Sequence, residues 1–130
     1  MTETETFLSA TTFGVAGASS NRQKYGNKVL RCYLQHNRMA IPIHPNEQQI
    51  EDQQAYACLA DAPTIESLSI ITPPAVTEQI VDQAIAEGVK NLWMQPGAES
   101  AAAIKRAKDA DLVVIAGGPC LLVVLGFRES

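Results

Sequence analysis

Residues 13–26 have the sequence FGVAGASSNRQKYG, in which a short apolar run leads into a turn of small residues and then into a helical pattern. The run Phe13–Ala16 predicts a buried strand, and the apolar spacing after the turn predicts a helix over about residues 24–36. The turn Gly17–Ser20 lets the backbone approach a ligand closely, and N–H groups at a helix start can hold a phosphate. This stretch therefore predicts a strand–turn–helix unit with a candidate anion site.

The rest of the chain repeats this alternation of strands and helices. The predicted strands are residues 13–16, 39–43, 68–71, 91–94 and 112–116, and the predicted helices are residues 24–36, 73–87 and 98–108. We expect Pro42 to end its strand, Thr72 to cap the second helix and Glu99 to lie in the first turn of the third. Trp93 lies in an apolar strand and is expected in the core.

Strands that alternate with helices form right-handed βαβ units, whose parallel sheet is covered on both faces. We therefore predict one α/β domain over residues 1–130, a Rossmann-like, doubly wound fold with a five-stranded, mostly parallel sheet. Residues 1–10 are expected to form a helix or tail, residues 44–63 a polar crossover with a short helical turn, and residues 117–130 a C-terminal extension.

Composition and charge exclude several classes of protein. The formal net charge is −4 and the pI near 5.1, which argues against a nucleic-acid binder. No apolar run approaches the length of a membrane span, and no signal peptide is visible, so a cytoplasmic protein is expected. Three cysteines without a C-x-x-C motif argue against a disulfide framework and against a zinc site. Five basic side chains and no acidic one occur between Thr6 and Asn46. We expect most of them to be solvated helix charges, with Lys24 and Arg22 near the small-residue turn supplying charge for a phosphate.

In a doubly wound sheet, ligands bind at the carboxyl ends of the strands, so the turns after the strands are the places to search for chemistry. After the second strand, His44-Pro45-Asn46 carries no acid or arginine, which speaks against NAD and NADP. Pro45 offers a rigid apolar edge to a purine, and His44 is expected to be a packed or surface histidine. The next two turns, Thr72-Pro73-Pro74 and Gln95-Pro96-Gly97, present rigid, uncharged backbone.

The turn after the fifth strand ends in a thiol, Cys120. A catalytic thiol needs a lowered pKa and a nearby base, and only His36 and His44 are available, each on another segment. An inert, partly buried thiol is therefore the favoured interpretation. No paired carboxylates, G-x-S-x-G or H-x-x-x-H arrangement occurs, which favours a binding module over an enzyme.

Taken together, these motifs resemble the coenzyme A-binding domain family, small stand-alone Rossmann-like proteins similar to the nucleotide-binding domain of the succinyl-CoA ligase α-subunit. The resemblance covers about residues 7–121. It rests on VAGAS (15–19) with KYG (24–26), IPIHP (41–45), YACLADAP (56–63), the proline-bearing turn after the third strand, LWMQ (92–95) with Gly97, and the late Cys120.

The resemblance implies a site for coenzyme A (CoA) or an acyl-CoA. The loop Gly17–Ser19 and Lys24 would hold the phosphates, Pro45 and its neighbours would border the adenosine, and the third and fourth turns would flank the pantetheine. The predicted cofactor-binding residues are Gly17, Ala18, Ser19, Ser20, Lys24, Tyr25, His44, Pro45, Thr72, Pro73, Pro74, Gln95, Gly97 and Cys120. The chain departs from the family at His44, usually Asn, and at Gly118-Pro119, usually Asp-Arg.

The predicted function is non-catalytic binding of CoA or an acyl-CoA, a small-molecule nucleotide ligand, with no nucleic-acid or membrane partner. The ligase's second domain with its phosphorylated histidine has no counterpart in the chain, so ligase activity is not expected. The alternatives are a small NAD(P)-linked or Cys120-dependent enzyme, and an interaction protein that only kept the fold. The apolar tail Leu121–Leu125 either closes the protein's own core or covers a neighbouring subunit, so a homodimer stays open.

Overall fold

The computed structural model describes residues 2–129 and consists of one central sheet between two layers of helices. In chain order the elements are α1 (Glu3–Leu8), β1 (Phe13–Ala16), α2 (Tyr25–Gln35), β2 (Ala40–Ile43), β3 (Gln49–Ile50), β4 (Gln53–Gln54), β5 (Ser67–Ile70), α3 (Pro74–Ala86), β6 (Asn91–Met94), α4 (Ala101–Asp109) and β7 (Val113–Ile115). A 3-10 turn spans Leu59–Asp61 and a π-helical turn spans Leu122–Gly126.

The five-stranded sheet has the order β2-β1-β5-β6-β7, and every neighbouring pair is parallel. The strands β1, β2, β5 and β6 are buried on both faces, as expected of a parallel sheet, and β5 buries Ser67 and Ser69 together with its apolar residues. Helices α3 and α4 cover one face, while α1, α2 and the C-terminal π-helical turn cover the other. The predicted doubly wound, Rossmann-like α/β fold is therefore confirmed, and its sheet is wholly parallel.

The second face owes part of its core to the N-terminal helix. Thr2 and Glu5 form a capping box that starts α1, and Phe7 is fully buried under the sheet. The Phe7 ring packs edge-on against Trp93 at a centroid distance of 5.3 Å. Trp93 is 1% exposed, which confirms its expected place in the core.

Three local expectations were wrong. Pro42 lies inside β2 rather than at its end, and the edge position of β2 tolerates a residue without an N–H. Pro73, not Thr72, is the N-cap of α3, because the Thr72 hydroxyl instead pairs with Thr77 Oγ1 at 2.8 Å. Helix α4 begins at Ala101 with Ser100 as its cap, so Glu99 precedes the helix and accepts a hydrogen bond from the Gly97 N–H.

The polar crossover contains a feature that its composition did not indicate. Strands β3 and β4 form a short antiparallel hairpin, and the expected helical turn is present as the 3-10 turn Leu59–Asp61. Glu51 and Asp52 make the hairpin turn with φ angles of 50° and 66°, a conformation that Gly and Asn usually supply. The hairpin brings Glu47 and Glu51 to the turn that follows β1.

The strand order determines where a ligand can enter. The chain leaves β1 toward β2 on one side, and then returns to β5 on the other side of β1. The carboxyl ends of β1 and β5 therefore border the switch-point crevice of the sheet, where open α/β folds bind their ligands. Within residues 2–129, the structure contains no helix with the length and apolar character to cross a membrane.

Candidate functional site

The turn after β1 is held by two glycines that no other residue can replace without movement. Gly17 has a φ of 93°, and a Cβ at this position would collide with the carbonyl oxygen of Ile71 at the end of β5. Gly26 is the second residue of α2, and a Cβ there would collide with the carbonyl oxygen of Gly17. The start of α2 is therefore pressed directly against the turn. Sequence reasoning missed this role of Gly26, although a glycine in the first turn of a helix that follows a strand is the signal for such packing.

Three consecutive backbone amides in this turn are available to a ligand. Within residues 2–129, the N–H groups of Ala18, Ser19 and Ser20 meet no hydrogen-bond acceptor. The Gly17 carbonyl points at α2, and a trans peptide places its N–H opposite its C=O, so the Ala18 N–H points away from the helix. Ala18 is nevertheless only 2% exposed, and buried N–H groups rarely go unpaired. A run of such amides is a donor set for an anion such as a phosphate.

The serine hydroxyls of the turn already have protein partners. Ser19 Oγ accepts a hydrogen bond from the Asn21 N–H at 3.0 Å, and the Ser20 hydroxyl donates to Glu47 at 3.2 Å. Asn21 in turn accepts from the Gln23 N–H at 3.0 Å. These bonds shape the turn and use the Ser20 donor, so within residues 2–129 the backbone amides and the Ser19 O–H are left open toward a ligand.

Of the basic side chains near the turn, Lys24 is the one suited to a phosphate. It is the exposed N-cap residue of α2, and within residues 2–129 no carboxylate lies within ion-pair distance of it. Arg22 is engaged by Glu51 at 3.2 Å. The expectation of a solvated helix charge was wrong for Arg31, because its side chain is turned inward and the residue is 6% exposed.

The turn after β2 is stabilised by its histidine. His44 Nδ1 accepts hydrogen bonds from the N–H groups of Asn46 and Glu47, both at 3.0 Å. An Asn side chain makes the same kind of bond in an Asx turn, so His44 accepts the bonds that an asparagine could accept at this position. Pro45 is exposed at the crest of this turn and presents an apolar surface there.

A cavity of about 290 Å³ lies beyond the amide turn, at the ends of β5 and β6. Its lining is mostly apolar and is formed by Tyr25, Ile71, Thr72, Pro73, Pro96, Gly97 and Ala98. The structure therefore brings the predicted residues Tyr25, Thr72, Pro73 and Gly97 together around one space. Pro74 is exposed as the first residue of α3, and the turn with His44 and Pro45 lies at the edge strand, outside this lining.

The polar atoms of Gln95 do not face this cavity, because they form hydrogen bonds within the protein. Gln95 is fully buried, and its Oε1 accepts bonds from the Tyr25 hydroxyl at 3.1 Å and from the Leu121 N–H at 2.8 Å. Its side-chain amide lies 3.5 Å from Ser69 Oγ, which also hydrogen-bonds the buried Tyr33 hydroxyl at 2.6 Å. Gln95 therefore holds Tyr25 at the cavity wall and fixes the start of the C-terminal segment.

Cys120 lies beside Tyr25 in an environment that favours its thiolate. Burial by itself would raise the pKa of the Cys120 thiol, but hydrogen bonding to the ionised form outweighs it and lowers that pKa. The Tyr25 hydroxyl can turn its one proton from Gln95 Oε1 to the thiolate sulfur, and the backbone amides of Val123 and Leu122 add to the effect. Burial and the neighbouring thiol both raise the pKa of Tyr25, so the phenol stays protonated. His36 is occupied with the Gly126 carbonyl at 2.6 Å. The thiol is therefore more acidic than the sequence indicated, and both histidines have other partners.

Comparison with known proteins relates this fold and site to a family. The model of the CoA binding domain matches residues 11–126. A conserved hypothetical protein from Pyrococcus furiosus has 31% sequence identity and a TM-score of 0.83, over 88% of this chain and 99% of that one. A hypothetical protein from Pyrococcus horikoshii has 26% identity and a TM-score of 0.88, over 95% and 89%.

The same fold also occurs inside a larger enzyme. A dinucleotide-forming acetyl-coenzyme A synthetase from Ca. Korarchaeum cryptofilum, solved with phosphate and ADP, shares 23% identity with a TM-score of 0.74. The match covers 84% of this chain but 25% of the synthetase, so it shows a common fold alone. The family match spans most of the chain and includes the glycine turn, the β2 turn and the cavity. This protein belongs to the CoA binding domain family.

Proposed function

We propose that this protein binds coenzyme A or an acyl-CoA at the carboxyl ends of β1, β2, β5 and β6, and that it does so without catalysing a reaction. The observation that carries the proposal is that, within residues 2–129, the amides of Ala18, Ser19 and Ser20 meet no acceptor and are followed by the exposed Lys24 at the start of α2. These groups suit a diphosphate, because backbone donors and one mobile cation can share its charge.

The two flanking features suit the two ends of the ligand. On one side of the amide turn, the exposed ring of Pro45 offers an apolar surface to the adenine. On the other side, the mostly apolar cavity beside Tyr25 offers space to the pantetheine arm, and its prolines keep the walls rigid. A ligand that extends from β2 past β1 to β5 and β6 would therefore meet an apolar edge, a donor set and an apolar cavity in that order.

Two observations support binding without catalysis. His44 uses Nδ1 to hold its turn, and His36 is bonded to the Gly126 carbonyl, so both imidazoles serve the protein's own backbone. A base for Cys120 would have to come from another side chain. The lowered pKa of Cys120 is the observation that keeps a Cys120-dependent enzyme as the second candidate.

Calorimetric titration with CoA, dephospho-CoA, NAD and ATP tests the proposal. We expect heat of binding with CoA below millimolar concentration and weaker binding of NAD. The absence of binding with CoA would refute the proposal, and a preference for NAD would favour the NAD(P)-linked alternative. NAD is included in the titration because the Glu47 carboxylate accepts a hydrogen bond from the Ser20 hydroxyl, close to where an acid could hold a ribose.

The variant Lys24→Ala tests the phosphate contact separately. We expect it to weaken CoA binding by about 1–2 kcal/mol, the usual scale of one charge-assisted hydrogen bond. Lys90→Ala is the matched control, because Lys90 is also exposed but lies just before β6, at the amino ends of the strands and away from the proposed site. Equal affinities of the two variants would remove Lys24 from the site. The homodimer is still a prediction, and light scattering would test it by measuring the molar mass in solution. The cytoplasmic location also stays a prediction.

A further inference from the structure

A buried polar pair lies on α2 directly beneath the amide turn. Asn27 is fully buried and Arg31, one helical turn later, is 6% exposed. Burying a guanidinium is unfavourable unless its donors are satisfied, so this arrangement needs a reason beyond packing. No sequence pattern indicated this burial, because Asn27 and Arg31 lie outside the apolar helical spacing of Val29, Cys32 and Tyr33.

The hydrogen bonds of this pair determine which way the Asn27 amide faces. Arg31 Nε donates to Asn27 Oδ1 at 2.6 Å, so the oxygen of the amide must point at the arginine. The Asn27 amide nitrogen then points at the turn, where it donates to the Ser19 carbonyl at 2.8 Å and to Glu51 Oε2 at 3.1 Å. Arg31 also donates to the Arg22 carbonyl at 3.0 Å, which ties down the far end of the same turn.

The direction of the Ser19 carbonyl sets the direction of the next amide. In a trans peptide the C=O and the N–H point to opposite sides, so a carbonyl held toward α2 turns the Ser20 N–H away from α2. We propose that Asn27, oriented by Arg31, is a positioning residue that keeps the Ser20 amide aimed at the phosphates of the ligand. This inference rests on the proposed function, because it assumes that the amide turn receives a diphosphate.

The C-terminal segment closes this arrangement from outside. The Phe127 ring lies 5.1 Å from Arg31 Cζ, and Glu129 lies 3.6 Å from its guanidinium and 3.2 Å from Lys28 Nζ. Gln35 makes two bonds to the backbone of Arg128. Arg31 is therefore confined on both sides, which is what a group that orients another side chain requires.

The test must reverse the Asn27–Ser19 contact while keeping the other contacts of Asn27. The double variant Asn27→Asp/Glu51→Gln does this: an aspartate at 27 still accepts from Arg31, and a glutamine at 51 can donate to that aspartate and accept from Arg22. The double variant keeps the net charge of the wild type, and relative to the wild type the donor to the Ser19 carbonyl is replaced by a repelling oxygen. The matched control is Glu51→Gln alone, in which Asn27 keeps its donor to Ser19.

The ligands used are CoA and pantetheine, which shares the thiol arm but has no phosphate. We expect the double variant to bind CoA about tenfold more weakly than the wild type, which has the same net charge; this is the scale of one lost hydrogen bond with a buried partner. Glu51→Gln alone shows how much of the loss comes from the Arg22 contact. The pantetheine affinities of the wild type and the double variant should agree within about a factor of two, and their melting temperatures within about 4 °C. Equal CoA affinity would overturn the inference, and so would an equal loss for both ligands, which would mean a merely structural role.

The wild-type protein gives an independent measurement in case the double variant does not fold. In an amide NMR titration with CoA, we expect the N–H signals of Ala18 and Ser20 to shift downfield more than that of Lys24, which already donates to Asn21. If CoA binds and the Ser20 signal does not shift, the inference is wrong although the proposed function stands. If CoA does not bind the wild type at all, the proposed function itself fails.

Discussion

The packing of α2 against the amide turn makes Gly26→Ala the most informative single change. A Cβ at position 26 would lie well within 3.0 Å of the Gly17 carbonyl oxygen, 3.0 Å from its carbon and 3.3 Å from Ala18 Cα. All three are backbone atoms, so no side chain can rotate away. The turn or the first turn of α2 would have to move by about 1 Å to restore an ordinary separation.

Two opposing effects determine the result. Alanine is a better helix former than glycine by about 1 kcal/mol in a helix interior. Overpacking against a rigid neighbour costs about 1–3 kcal/mol, and the backbone contact at Gly17 places this case at the upper end. We expect a net loss of about 1–2 kcal/mol in the free energy of unfolding. A displaced turn should also weaken CoA binding by about tenfold or more, because the amides must all point at one anion.

Urea denaturation and calorimetry with CoA measure the two effects. Gly118→Ala is the control for stability, because Gly118 has an ordinary φ and a Cβ there would meet nothing within 4 Å. We expect the control to stay within about 0.5 kcal/mol of the wild type. A Gly26→Ala protein that is as stable as the wild type and binds CoA equally well would refute the reasoning.

Two further outcomes follow from the site. Because the pKa of Cys120 is lowered, its alkylation rate should rise at a lower pH than that of free cysteine. Burial raises the pKa of Cys32 to about 11, so Cys32 should react slowly. Peptide mass spectrometry measures the two rates separately. Tyr25→Phe should move the Cys120 profile to higher pH, because the hydroxyl that favours the thiolate is removed; an unchanged profile would contradict this cause. His44→Asn should keep CoA affinity within about a factor of two, whereas His44→Ala should weaken it by about 1 kcal/mol, since the amides of Asn46 and Glu47 lose their acceptor. Equal affinity of the two His44 variants would show that the turn does not depend on this acceptor.

The sequence by itself determined the fold class and the types of the five sheet strands and three long helices, because these depend on local patterns, but it did not indicate the β3–β4 hairpin. Strand β1 and strand β6 agree with the predicted Phe13–Ala16 and Asn91–Met94 residue by residue, since each is a buried apolar run bounded by turn residues. The position of the amide turn also followed, because parallel strands place their carboxyl ends at one edge of the sheet. The errors at Thr72 and Glu99 lie at helix starts, where short-range hydrogen bonds to Thr77 and Gly97 replace the expected arrangement, and Pro42 is tolerated inside β2 because that strand is at the edge of the sheet.

The tertiary structure alone decided which donors and acceptors of the site are open to a ligand. Gln95 carries polar groups at a strand end, but Tyr25 and Leu121 occupy its oxygen. Asn27 and Arg31 look like ordinary helix residues in the sequence, yet packing turns them inward, onto the carbonyls of Ser19 and Arg22. Whether a polar group is free depends on neighbours far away along the chain, and a periodic pattern carries no information about those neighbours.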